Sequence, residues 1–203
     1  MHRVLTASLI AALGVSLAGS PAEAAALGGS PAQAAKPLDV VKKAVAARID
    51  KRLDALRKDA AALGGAKHLQ AAHKQALQQL IDGQSAGLTA LKSKVEGETT
   101  AAGLKADARS MVVDYRVFML TGPKVRLSVA IDAELAAADR LHDRPGADDA
   151  KLDAVQKSLA GKVDALLAIQ PGADGAAVRA QVTTIRTTAK GARSDLKAIS
   201  GKK

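Results

Sequence analysis

Cysteine is absent from the sequence, which excludes a disulfide framework, a thiol nucleophile and a lipid-modified cysteine at a processed N-terminus. Tryptophan is absent too, and the aromatic side chains are one tyrosine and one phenylalanine, Tyr115 and Phe118. Specific readers of single-stranded nucleic acid stack bases on aromatic side chains, so that class of function lacks its chemistry here. No Gly-Xaa-Ser-Xaa-Gly nucleophile turn and no glycine-rich phosphate loop occurs. Among the four histidines, His68 and His73 are five apart, about 140° around a helix, so they do not form the i, i+4 pair of a helical metal site. His142 stands beside Asp143 at an expected helix end, where a cap or surface role is the simpler reading. No enzymatic activity, metal or cofactor is expected.

Long apolar runs are missing after the first two dozen residues, so no transmembrane span is expected in the rest. The opening "MHRVLTASLIAALGVSLAGSPAEA" has a basic start, an apolar run from Val4 to Ala18 and small residues Ala22 and Ala24 around Glu23. That order is the layout of a secretory signal peptide. Residues 1–24 are therefore expected to be a signal peptide, with Ala26 and Ala34 as other plausible ends. Residues 25–37 form a spacer and residues 38–203 a single helical domain. The expected location is extracellular or associated with the cell envelope.

Negative charge is in short supply. Thirty Lys and Arg face twenty Asp and Glu, for a net charge of +10. Residues 176–203 hold seven basic side chains against Asp195 alone. Outside a cell, such a chain meets anionic wall polymers, anionic lipid headgroups or stray nucleic acid, although charge can also serve solubility alone.

What is abundant is helical periodicity. From Leu38 the apolar positions 41, 45, 49, 53, 56, 60 and 63 step by three or four, with Pro37 before the run and Gly64-Gly65 after it. A second pattern runs from about Lys67 to Met119. It contains glycines 83, 87, 97 and 103, each costing about 1 kcal/mol in a helix interior. "TGP" at 121–123 is expected to end it, with Gly122 at the C-terminal cap and Pro123 in the first turn of the next helix, which runs to about His142. Asp148 or Asp149 is then placed to cap a helix through Leu166. After "QPGADG" the last helix, from about Ala176 to Ser200, carries Val178, Val182, Ile185, Ala189, Ala192, Leu196 and Ile199 on one seam. The fold class is all-α: an antiparallel bundle of about four long helices, with residues 98–142 as a helical hairpin that either protrudes or folds back.

Two surfaces stand out. Arg179, Arg186, Lys190, Arg193 and Lys197 each lie one residue beyond a seam position, giving a cationic ridge about 27 Å long. Thr183, Thr184, Thr187 and Thr188 share that helix and could donate to phosphate. The second surface is "MVVDYRVFMLTGPKVRLSVAI" at 111–131, which holds both aromatics and two of the three methionines. As a helix it is apolar almost all round, so Met111, Val112, Tyr115, Phe118 and Met119 are expected to be enclosed, by the bundle, a second copy or a partner. As an alternative, Val125, Leu127, Val129 and Ile131 alternate as a strand would, giving a β-hairpin turning at 121–124.

"ARIDKRLDAL" at 47–56, "LTALKSKVEGETT" at 88–100 and above all "DYRVFMLTGPKVRL" at 114–127 resemble a group of uncharacterised secreted helical proteins of high-GC Gram-positive bacteria. The resemblance reaches to about Leu141 and implies helix, export and one domain; it implies no activity and no site residue. The expected function is that of an exported, non-enzymatic helical protein that binds or organises an anionic envelope polymer through its basic last helix, without specific nucleic-acid recognition. The alternatives are a membrane-active amphipathic protein and a structural homo-oligomer assembled through residues 111–131.

Overall fold

The computed structural model describes residues 38–201, so the expected signal peptide, the spacer and the last two lysines lie outside the described residues. Within them the protein is all-helical, with seven α-helices and one π-helical turn. Helix α1 spans Leu38–Gly64 and buries Val45, Ile49, Leu56 and Leu63. Helix α2 spans Ala71–Gly97 and buries Leu77, Ile81, Leu88, Leu91 and Val95. These spacings put one stripe on each helix, and α1 and α2 pack on each other along it.

The long second helix expected from the sequence is broken twice. At Glu98 the backbone turns extended, and the Glu98 carboxylate accepts the Thr99 and Thr100 N–H groups at 2.9 and 2.8 Å. Thr100 then caps α3, Ala101–Val113, its hydroxyl accepting the Gly103 N–H at 3.0 Å. Side chains satisfy the free N–H groups here, so the break needs neither proline nor a left-handed glycine.

The second break falls at Asp114–Arg116, where Arg116 takes a left-handed backbone with φ of 43°. A π-helical turn, Val117–Thr121, follows and runs directly into α4, Gly122–His142. The expected stop at "TGP" is therefore corrected: the chain stays helical through it. Pro123 has no N–H to give and its ring would crowd the carbonyl four residues back; the widened turn, in which the Gly122 N–H reaches the Val117 carbonyl, accommodates both. Gly122 is also where α4 comes close to α1. A Cβ there would stand 3.2 Å from the Asp59 carboxylate and 3.1 Å from the Arg126 guanidinium.

The helix expected from Asp148 or Asp149 through Leu166 is also divided, into α5, Asp149–Leu159, and α6, Lys162–Ala168, at Gly161 with φ of 66°. Asp148 holds the N-cap position of α5 without a capping hydrogen bond and pairs with Lys151 instead. Helix α7, Gly175–Ser200, is capped by Asp174, whose carboxylate accepts the Ala176 and Ala177 N–H groups at 2.9 Å each.

Apolar packing forms two clusters. One gathers the stripes of α1, α2 and α3 with Val117 and Val125. The other gathers α4, α5, α6 and α7 with Leu120. Leu167 packs against both. The segment 111–131 thus lies at the junction of the clusters: Met111, Val117 and Val125 enter one, Leu120 and Ile131 the other. A protruding hairpin is corrected accordingly, since Leu120 to Val125 are all buried. The strand alternative is overturned as well, because residues 125–131 are helical and no strand occurs among the described residues.

Enclosure of the large side chains is only partial. Met111 is buried and Tyr115 and Met119 are half-buried, but Val112 is 46% and Phe118 55% exposed. Branched aliphatics of the same segment fill the core, and Phe118 lies outward beneath the Arg52 guanidinium, 5.2 Å from its ring centre. Consequently Leu120→Ala is expected to cost about 3 kcal/mol in urea unfolding. Phe118→Ala should cost less than about 1 kcal/mol, the worth of an exposed cation–π contact.

Candidate functional site: the cationic face of the last helix

Helix α7 divides along its length as the heptad spacing requires. Val178, Val182, Ile185, Ala189, Ala192 and Leu196 are buried, and Arg179, Arg186, Lys190, Arg193 and Lys197 are all exposed. Among the described residues none of these five cations is in a salt bridge. Arg193 is nonetheless close enough to Glu134 to oppose the rise that burial imposes on that carboxyl. Lys197 lies in the last turn of the helix, where the helix dipole favours a cation. Two threonines proposed as phosphate donors are occupied: the Thr184 hydroxyl donates to the Ala180 carbonyl at 3.1 Å, and that of Thr188 to the Thr184 carbonyl at 3.2 Å. The cations and the exposed Thr183 and Thr187 are left to carry the ridge's chemistry.

What positions this helix is the connection before it, residues 169–174. Outside a helix, its carbonyls have no intrahelical donors. Two cations from the 111–131 segment supply them. Arg116, 7% exposed, donates its Nε to the Gly172 carbonyl at 2.7 Å and its Nη2 to the Ala173 carbonyl at 3.0 Å, with Nη2 also on Gly172. Lys124, 3% exposed, donates its Nζ to the Leu167 carbonyl at 2.8 Å and the Ile169 carbonyl at 2.6 Å, closing the C-terminal end of α6. Gly175 makes room for this, since a Cβ there would stand 2.7 Å from the Arg116 guanidinium. Gly87 of α2 does the same for Tyr115, whose ring would meet a Cβ at 2.7 Å. The polar residues of "DYRVFMLTGPK" therefore act inside the chain.

Neither Arg116 nor Lys124 was singled out in the sequence, where attention falls on the apolar side chains of the same segment. Asp132 was not singled out either: it is buried on α4, accepts the Gln70 N–H at 2.9 Å and lies 2.8 Å from the His73 Nδ1. His73 also faces Asp164 at 3.5 Å, and His142 bridges α4 to Asp149 of α5 at 3.0 Å. Among the described residues no group of three or more His, Asp and Glu side chains is arranged to hold a metal ion. No helix of these residues is long and apolar enough to cross a membrane.

Compared with known proteins, the chain matches no protein-family model, no curated protein and no solved structure. The site is defined by its chemistry alone: an exposed row of cations on an all-helical scaffold.

Replacing Arg116 with Ala is expected to cost about 2 kcal/mol in urea unfolding, since charge-assisted bonds from a buried guanidinium to the Gly172 and Ala173 carbonyls are lost. Arg116→Gly should lose about 1 kcal/mol less, because glycine takes the left-handed backbone without strain. Lys124 gives a pH signature. Burial pushes its ammonium down to about 8 from the ordinary 10.5. Between those values the unfolded chain holds more protons, so stability gained from Lys124 is fully present above the unfolded value and is lost as pH falls through about 8. Unfolding free energies of the protein and of Lys124→Met, measured at pH 7 and 9.5, should differ more in the protein's favour at the higher pH.

Proposed function

We propose that this is an exported, non-enzymatic helical protein that binds an anionic polymer of the cell envelope through the exposed face of α7. The observation that carries the reading is the ridge. Five cations on one helix are exposed together beside a face of that helix that is buried along its length. A row of about 27 Å suits a repeating polyanion rather than a single small anion. The absence of stacking aromatics near it favours sequence-independent Coulomb contact. Export rests on the leader-like first 24 residues. In this reading the long helices α1, α2, α4 and α7 form an antiparallel bundle, a topology supported by the short connection between α1 and α2 and by the packing of α4 and α5 on α7.

One observation favours a second reading, assembly of copies through residues 111–131: Val112 and Phe118 are both exposed large apolar side chains. It is the reading to adopt if the protein sediments as a dimer that Phe118→Ala dissociates.

Binding to dextran sulfate at physiological salt is expected to weaken at least tenfold in the variant carrying Arg186→Gln, Lys190→Gln, Arg193→Gln and Lys197→Gln, with helix content unchanged. Affinity of the unaltered protein should also fall steeply with added salt, because exposed charges are screened over about 8 Å at physiological ionic strength. Retention indifferent to both changes would remove the ridge from the function.

A further inference from the structure

Glu134 is an acid in an apolar row. On α4 it stands three residues after Ile131 and four before Ala138, so the three share one face of the helix. Ile131 and Ala138 belong to the cluster that holds the α7 seam, and α4 and α7 pack on each other. Glu134 is 9% exposed, and its Oε2 is buried with no hydrogen-bond partner. A carboxylate taken out of water is ordinarily paired or fully hydrogen-bonded, because an unmet oxygen keeps the cost of losing its hydration. The α4–α7 interface thus contains a carboxyl group that it does not fully satisfy.

The cation that acts on this group belongs to the ridge. Arg193 is exposed on α7 and directly follows the seam residue Ala192, and its charge opposes the rise that burial imposes on the Glu134 carboxyl. Among the described residues no charged group of α1, α2, α5, α6 or the π-helical turn, the other elements packed on α4, has a comparable influence. The two charges are therefore coupled across the interface. A charge held in the interior is screened less than one standing in water, so Glu134 acts on its neighbour more strongly than a surface acid would.

We propose that Glu134 tunes the affinity of the α7 ridge from beneath it: its carboxylate opposes an anionic polymer at Arg193, and binding of the polymer draws a proton onto Glu134. This regulation rests on the reading of the ridge as the polymer site. An anion at Arg193 cancels part of the positive field that keeps Glu134 ionised, and the carboxyl responds by taking a proton from solvent. Linked equilibria are reciprocal, so a Glu134 that is already neutral leaves the ridge a better site for the polymer. The neutral form gains as pH falls, and affinity rises with it.

The test uses dextran sulfate, whose sulfates stay ionised throughout, at fixed ionic strength and at pH 7.5 and pH 5. Glu134→Gln is expected to bind about threefold tighter than the unaltered protein at pH 7.5, the scale of one exposed charge pair, and to gain less on going to pH 5. Other groups that titrate over this range do so in both chains and cancel in the comparison. Asp54→Asn removes the same unit of charge from the exposed surface of α1 and should change the affinity less. In the unaltered protein, the Glu134 side-chain carboxyl resonance followed by NMR should titrate at a higher pH with dextran sulfate bound. If that titration does not move, or if Asp54→Asn matches Glu134→Gln, the coupling is overturned while the ridge stands, provided the four-glutamine variant still binds more weakly. A four-glutamine variant that binds as tightly as the unaltered protein removes the ridge, and the role of Glu134 falls with it.

Discussion

The connection between α6 and α7 is backbone without a helix to satisfy it, lying against the interior. Carbonyls in that position must find donors, and an unpaired one costs as much as a lost hydrogen bond. Arg116 and Lys124 meet that demand from one short segment, the guanidinium holding Gly172 and Ala173 and the ammonium holding Leu167 and Ile169. Much else follows from this contact. Arg116 adopts a left-handed backbone to reach its carbonyls, Gly175 gives up a side chain to admit it, and α7 begins where the clamp ends. The orientation of the cationic face is set from the far end of the chain's most apolar segment.

Charge on this protein is thus used in two dielectric settings. On α7 the cations stand in water, where each is weakly coupled to its neighbours and easily screened. At the connection they are desolvated, and their attraction for carbonyl dipoles is correspondingly strong. The same residue types that make the exterior salt-sensitive make the interior rigid. A count of basic residues does not distinguish these uses.

How much of this was legible in the sequence depends on whether the cause was local. The α7 seam was readable because six buried positions repeat in steps of four and three, and the exposed cations followed from being one residue further on. Helix α1 was readable for the same reason, between Pro37 and Gly64. The break at Glu98–Thr100 left a trace in "ETT", whose carboxylate and hydroxyl serve as caps, beside glycines that are more conspicuous helix breakers. The break at Arg116 left none: no local preference places arginine in a left-handed conformation, and contacts 56 residues away enforce it. Phe118 departs from the expected enclosure because the size of a side chain does not by itself fix its burial. In a segment at the junction of two clusters, Val117, Leu120 and Val125 fit between helices, and the ring is left outside with Arg52.

The division of apolar packing into two clusters has a kinetic meaning. Proteins open in cooperative parts whose free energies differ, and a boundary between packed groups is where such parts separate. Here the boundary is crossed by α4, by the π-helical turn and by Leu167, which touches both sides. Amide protons of α1 and α2 can therefore exchange with solvent in one event and those of α5 and α7 in another, while the amides of residues 117–125 wait for both. The least regular stretch of the backbone would then be the slowest to exchange, because it belongs to two folding units at once.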